Sequence, residues 1–398
     1  MRRIVDLYKN AYSGLSPSTW WLCLVMLVNR SGTMVIPFMT LYITQNLGYS
    51  ITQAGWVMAL FGAGAVAGGL IGGKLIDRFG FYYIQIVTLS GGGIMFMILG
   101  QMKSYTLICI FAFLLSLVND MFRPANSAAI AHFSKEDNRT RSFSLNRLAI
   151  NLGWAFGGAL GGFIAAKNYE LLFWIDGFTN IGAAFVLWFF LAPSKNKATG
   201  TKVEEPPSLN VRSAYKDKPY MVFFVLTILF AYVFFQLFST LPLFYKTKLH
   251  LDESFIGITM AMNGLLIAAF EMVLVHKLEG RKHILDYIFV GVLMIALSFL
   301  VFNIFPGAAL LAIGSMLLMT MGEMLSMPFM NTYWVGRTVN ENRGQYAGLY
   351  TVAWSIAQVL GPGTGAQIAD HYGFTVLWWI IGGICVFTAF GFKWLQRH

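Results

Sequence analysis

The chain has 398 residues, of which 57% are hydrophobic and only 12% charged, with a formal net charge of +10. That composition excludes an ordinary soluble domain. The three cysteines, Cys23, Cys109 and Cys385, lie far apart in apolar runs, which argues against a disulfide framework or a metal site and for simple packing.

Crossing ~30 Å of hydrocarbon at 1.5 Å per residue takes about 20 apolar residues in a helix. Twelve such spans are predicted: 19–46, 52–73, 82–102, 104–132, 142–166, 171–192, 220–245, 254–275, 287–306, 307–334, 344–368 and 374–392. No period-2 alternation argues for a barrel. The chain reads as an all-α polytopic membrane protein. No small-residue cleavage site follows Met1-Arg2-Arg3, so the first span is expected to be retained.

The basic balance is distributed by topology. With the N-terminus taken as cytoplasmic, 21 of the 28 Lys and Arg fall on the inner side. Four (Lys103, Lys167, Lys246 and Lys248) fall on the outer side, and Arg30, Arg123 and Arg147 fall inside spans. By the positive-inside rule both termini are cytoplasmic, and the partner of the positive charge is the lipid bilayer rather than nucleic acid. A multi-pass protein of the inner or plasma membrane is expected.

Residues 193–219, with Pro206, Pro207 and several Lys and Glu, read as a cytoplasmic linker between six-helix halves at 1–192 and 220–398. The other loops are too short for a separate catalytic domain, so no enzyme and no cofactor are expected. The halves repeat each other. Pro124 and Pro328, Asn138 and Asn342, Arg139 and Arg343, Leu145 and Leu349, Gly157 and Gly361, and Gly161 and Gly365 are all 204 positions apart. A repeat of half the chain in membrane-length segments is the mark of a transporter built from two related bundles.

Between the second and third spans stands Gly72-Gly73-Lys74-Leu75-Ile76-Asp77-Arg78-Phe79-Gly80. It resembles the G-x-L-x-D-R-x-G loop of the major facilitator superfamily, matching at Gly73, Leu75, Asp77, Arg78 and Gly80, with Phe81, Tyr82 and Tyr83 in place of the usual basic pair. The glycines suit close helix approach, and Asp77 with Arg78 suits a breakable charge latch at the cytoplasmic face. Glu279-Gly280-Arg281-Lys282 is a degraded counterpart in the second half. The fifth span, Gly153 to Gly162, resembles the antiporter motif of drug exporters, with Gly158 replacing the proline. A partial resemblance to proton-coupled oligopeptide transporters rests on Arg123-Pro124, Asn151-Leu152-Gly153, Gln236 and Gly322-Glu323. Their E-x-x-E-R-F signature is reduced here to Asn29-Arg30.

The superfamily resemblance implies twelve transmembrane helices in two six-helix bundles, with spans 1, 4, 7 and 10 lining a central cavity. Polar residues stand on all four: Asn29 and Arg30, Asp120, Arg123 and Asn126, Gln236, and Glu323. Charge in hydrocarbon costs ~2.5–3.5 kcal/mol per group on insertion scales, so it persists where a cavity or partner exists. Within the spans three cations (Arg30, Arg123, Arg147) balance three carboxylates (Asp120, Glu271, Glu323). Asp120, Glu271 and Glu323 are the proton-coupling candidates. Asn29, Arg30, Arg123, Asn126, Arg147 and Gln236 are the cavity candidates, and Gly73, Asp77, Arg78 and Gly80 the cytoplasmic gate. Arg30 and Arg123 are expected to bind carboxylates in one state and release them in another, although Asp120 and Arg123 also read as a local pair. Asp176 reads as a boundary residue.

The resemblance implies a monomeric secondary transporter exchanging protons for small amphiphilic organic molecules. The alternative is a proton symporter of peptides or related anionic nutrients. A receptor or scaffold is disfavoured because the polar residues converge on the four cavity helices.

Overall fold

The computed structural model describes residues 2–165, 167–191, 213–251, 253–304 and 309–397. Most of the expected linker, at 193–212, lies outside the described residues, as do 305–308 at the junction of the expected ninth and tenth spans. All regular structure among the described residues is helical.

A short helix, α1 (Arg2–Tyr12), precedes the first span. Ser16 caps α2 (Pro17–Ser31), its Oγ accepting from Thr19 N at 3.1 Å, and Pro17 stands where a helix needs no N–H. The helix then breaks and resumes as α3 (Val35–Leu41). The cause is Pro37, which lacks an N–H and whose ring would strike the carbonyl of Thr33 four residues back. A capping box of Ser50 and Gln53 starts α4 (Ile51–Phe79). Gly80 joins it to α5 (Phe81–Gln101) at φ 82°, a left-handed conformation that favours glycine. The fourth span is again broken, into α6 (Tyr105–Asp120) and α7 (Phe122–Phe133), with Pro124 set against the carbonyl of Asp120. Next come α8 (Arg139–Ala165) and α9 (Tyr169–Phe190).

The second half begins with α10 (Lys218–Phe234) and α11 (Thr240–Thr247), parted by a 3₁₀ turn over Phe235–Phe238 just before Pro242. This repeats the break of the first span. It continues through α12 (Glu253–Leu278), α13 (Ile284–Ile304), α14 (Ala309–Gly336) and α15 (Arg343–Leu395). The last is one run of 53 residues that turns sharply at Gly373, where φ is 84°. The expected spans at 344–368 and 374–392 therefore meet without a loop.

Among the described residues, ten helical segments are long and apolar enough to cross a membrane. That number treats α15 as one segment and leaves out α8, whose first three turns carry Arg139, Arg141 and Arg147.

Within the first half, α2 packs on α8 and α9, α4 on α6, and α5 on α6, α7 and α9. Within the second, α13 packs on α14 and α15, α10 on α15, and α12 on α14. The two groups meet where α4 and α7 face α15 and where α8 faces α12 and α14. Phe223, Phe299, Trp378 and Phe392 fill the second group's interior, while Trp188, Phe189 and Phe387 stand more than 60% exposed on the periphery. That outward apolar face suits lipid, because the helices satisfy their own backbone polar groups.

The described end of the linker is not loose. A 3₁₀ turn at Ala214–Lys216 leads to Asp217, which accepts from Arg337 Nε at 2.9 Å, Arg337 Nη2 at 2.7 Å and Tyr346 Oη at 2.8 Å. Burial pushes the Asp217 carboxyl up, but the hydrogen bonds from Arg337 and Tyr346 outweigh it and hold it below the ordinary carboxylate range.

Two predictions follow from this packing. At the crossing of α13 and α14 a Cβ on Gly322 would lie 2.6 Å from the Gly291 carbonyl, whereas one on Gly383 meets nothing. Gly322→Val should therefore lower the thermal midpoint in detergent, at an overpacking cost of ~1–3 kcal/mol, and Gly383→Ala should leave it unchanged. Because Asp217 is held ionised in the folded chain, its contribution is present above the unfolded pKa of ~3.9 and lost as pH falls through the folded value. The stability gap between wild type and Asp217→Asn, read by thermal unfolding, should close on acidification.

Candidate functional site

Three groups of polar side chains lie where the two halves meet or beside that seam. The deepest is built on Arg147, about 12 Å along α8 from Arg139 at 1.5 Å per residue. Its Nη1 donates to Glu271 Oε2 of α12 at 2.7 Å, and its Nη2 to Glu323 Oε2 of α14 at 2.5 Å. Nη1 also reaches the Glu323 carbonyl at 3.2 Å. Asn263 Nδ2 completes Glu323 by donating to its Oε1 at 2.9 Å and to Thr320 Oγ1 at 3.0 Å. Both carboxylates are 1% exposed. Glu271 differs from Glu323 in one respect. Beyond Arg147, the donor beside its carboxylate is the Ser144 hydroxyl, one turn before Arg147, and not an amide. One cation thus ties two carboxylates from the other half in a nearly dry setting, and a single arginine leaves one negative charge unmatched.

The second group lies in the first half. Asp120, at the break of the fourth span, accepts from Ser116 Oγ at 3.1 Å and from Arg123 Nη1 at 3.4 Å. Arg30, one residue before the end of α2, feels the charges of both Arg123 and Asp120. Among the described residues its guanidinium makes no hydrogen bond or ion pair. Two cations share one carboxylate here.

The third group closes one face. Asp77 Oδ1 accepts from Gly344 N at 2.7 Å and Oδ2 from Gln345 N at 3.0 Å, so the carboxylate caps the positive end of α15. Arg78 instead lies over the Phe79 ring at 5.1 Å, which corrects the expected Asp77–Arg78 latch: the partner of Asp77 is a helix end in the other half. Gly73 permits this approach, since a Cβ there would stand 2.7 Å from the Gly344 carbonyl. On the same face Glu279 accepts from Arg141 Nε at 3.1 Å and Thr140 N at 3.0 Å, while Thr332 Oγ1 donates to Thr140 Oγ1 at 2.8 Å. Burial raises the Glu279 carboxyl, and the bonds from Thr140 and Arg141 offset part of that rise. The degraded counterpart of the loop motif is therefore itself a cross-half contact.

Other expected cavity residues have structural partners. Asn29 donates to Asn180 Oδ1 at 2.8 Å, and Asn126 to Asn146 Oδ1 at 3.0 Å. Gln236 is 0% exposed; it donates to the Gly361 carbonyl at 2.9 Å and accepts from Thr240 at 2.8 Å, so it bridges the Pro242 break to α15. Asp176 is likewise 0% exposed and no boundary residue. It accepts from Met34 N at 3.0 Å and Val35 N at 2.8 Å, the amides that start α3 after the Pro37 break. A proline inside an apolar span signals freed backbone groups, and a buried acid two turns into another span was the available answer. The glycines of the fifth span pack on that same break: a Cβ on Gly157 would stand 3.0 Å from the Ser31 carbonyl.

Known proteins carry this arrangement of helices. The sequence pattern of the Major Facilitator Superfamily matches residues 22–362. A Na(+), Li(+), K(+)/H(+) antiporter of Planococcus maritimus is 22% identical, over 92% of this chain and 93% of its own. Multidrug resistance protein 1 of Bacillus subtilis is 23% identical over 85% of each. A bacterial homologue of the iron transporter ferroportin, solved in an outward-facing state, superposes with a TM-score of 0.75 at 16% identity, covering 96% of this chain and all of that one. With the family pattern running through both halves of the helical array, the chain belongs to the Major Facilitator Superfamily and is a multi-pass cell-membrane transporter rather than an enzyme.

Proposed function

We propose that this transporter is proton-coupled and expels small amphiphilic organic compounds in exchange for protons by alternating access. Reading α15 as two spans and adding α8 to the ten apolar segments gives twelve helices. They would form bundles at 1–192 and 220–398, joined by the linker at 193–219, with both termini cytoplasmic and the chain acting as a monomer. In that orientation the face closed by Asp77, Arg141 and Glu279 is the cytoplasmic one, and the chain is held outward-facing.

The observation that carries the reading is Arg147 held between Glu271 and Glu323. When the cytoplasmic side opens, water reaches both carboxylates and each ionises freely. When it closes, one cation remains for two buried anions, and a proton is the smallest charge that restores balance. Closure of the cytoplasmic face is thereby linked to holding one proton, taken from outside and released inside on opening. Glu271 and Glu323 share that proton; Asp120 serves the neighbouring arginines. The antiporter and multidrug-resistance relatives support exchange and an organic substrate.

Flux in proteoliposomes under an imposed pH gradient tests the proposal: proton and dye fluxes should run in opposite directions, and parallel fluxes would replace exchange by symport. Glu271→Gln and Glu323→Gln should each lose pH-driven flux while keeping downhill exchange, since the glutamine preserves shape without titrating. Retained pH-driven flux in both would remove the carboxylate pair from coupling. For the gate, Asp77→Asn should slow turnover and leave substrate affinity within a few-fold, because the lost bonds hold a conformation and touch no substrate. Wild-type turnover would remove the gate role.

A further inference from the structure

Apart from Asp176, which backbone amides hold, three cations and three carboxylates balance along the sequence, but in space they separate. Glu271, Arg147 and Glu323 form a group with one negative charge in excess, and Arg30, Asp120 and Arg123 a group with one positive charge in excess. The negative group is matched by a proton under the reading above. Nothing among the described residues matches the positive one. Arg30 has no partner, and Arg123 keeps a single bond to Asp120 at the long distance of 3.4 Å with 29% of its side chain exposed. An unpaired guanidinium beside a weakly paired one, inside a membrane protein, forms a seat for an anion.

The aromatic residues within reach of Arg123 say what the rest of that anion looks like. Tyr350, on α15, feels the charges of both Arg123 and Arg147. One turn on, Trp354 lies 6.3 Å from Tyr350, 5.4 Å from Phe234 and 6.0 Å from Phe230 between ring centroids. Its indole N–H has the Tyr350 side chain as its neighbouring acceptor. Flat, polarisable rings suit an aromatic or apolar body rather than a sugar or a free inorganic ion.

We infer that the substrate is an amphiphilic organic anion whose carboxylate, sulfonate or phosphate is held by Arg30 and Arg123, with its apolar body on Tyr350, Trp354 and Phe234. The inference rests on the proton-coupled transport reading and assigns the charge of what is carried. A cationic amphiphile would enter a seat already one positive charge in excess, and repulsion in a poorly screened interior disfavours it.

The test uses probes matched in shape and opposite in charge: 1-naphthalenesulfonate against 1-naphthyltrimethylammonium, with benzoate and phenyl phosphate to vary the anionic head. Equilibrium dialysis on the full chain in nanodiscs should show the sulfonate bound and the ammonium not. Arg30→Gln and Arg123→Gln should each weaken sulfonate binding about tenfold or more, as expected for the loss of a charge-assisted hydrogen bond, and Arg30→Lys should recover part of it. Asp120→Asn raises the local positive excess and should tighten binding severalfold, an outcome that a misfolded variant does not produce. Binding of the ammonium alone, or of no anion in the set, overturns the assignment. Proton-coupled flux of the ammonium would do so while leaving the transport reading intact. Sulfonate binding that needs Arg30, without any pH-driven flux, would keep the anion seat and remove the coupling.

Discussion

A charge enclosed by hydrocarbon must find an opposite charge, water or a ligand, and this constraint organises the molecule. Among the described residues, six ionisable groups inside the spans fall into two clusters, neither neutral by itself, while Asp176 is held by backbone amides. Complete neutrality would give a rigid scaffold with no reason to move. An excess of one charge in each group leaves the protein short of a counter-charge that only a solute can bring. The transporter is incomplete in the same sense that an apo binding protein is incomplete, and its ligands complete its electrostatics.

The same economy governs the seam. The polar bonds that join the halves are of kinds that water can replace: a carboxylate on two helix-end amides, one largely buried ion pair, two threonines and a deeper arginine between two acids. Apolar contact accompanies them: the rings of Phe143 on α8 and Trp334 on α14 lie 6.2 Å apart between centroids. Gly73, Gly344 and Gly348 bring backbones together with little side-chain surface. The polar part of such a seam is specific when shut and open to exchange with water, which suits a rocking motion.

Much of the architecture was readable in the sequence because it depends on local composition and period. Span lengths, the 204-position repeat and the loop motif around Asp77 are all of this kind. Partnerships were not readable, because they join residues far apart on different helices: Arg147 with Glu271 is 124 positions away and with Glu323 is 176. Proximity in sequence instead favoured Arg78 for Asp77, when the true partner is 267 positions on. Gln236 and Asn29 sit on expected cavity helices but turn to neighbouring helices, a matter of side-chain direction that span numbering does not carry. Asp176 was misplaced for a related reason: its worth depends on a proline in another span.

That proline has a counterpart, and the two joints are not alike. In the first half the interruption before Pro37 is clamped by a carboxylate holding two successive amides. In the second, the interruption before Pro242 is bridged by a neutral amide side chain to a single carbonyl on α15. The pseudo-symmetric elbows therefore rest on different chemistry. Bending at the first parts the Asp176 carboxyl from two backbone amides, and bending at the second parts Gln236 from the Gly361 carbonyl and from Thr240. A molecule assembled from two copies of one plan thus hinges on unlike side chains: an aspartate reaching in from a neighbouring helix at one elbow, and a glutamine standing within the break itself at the other.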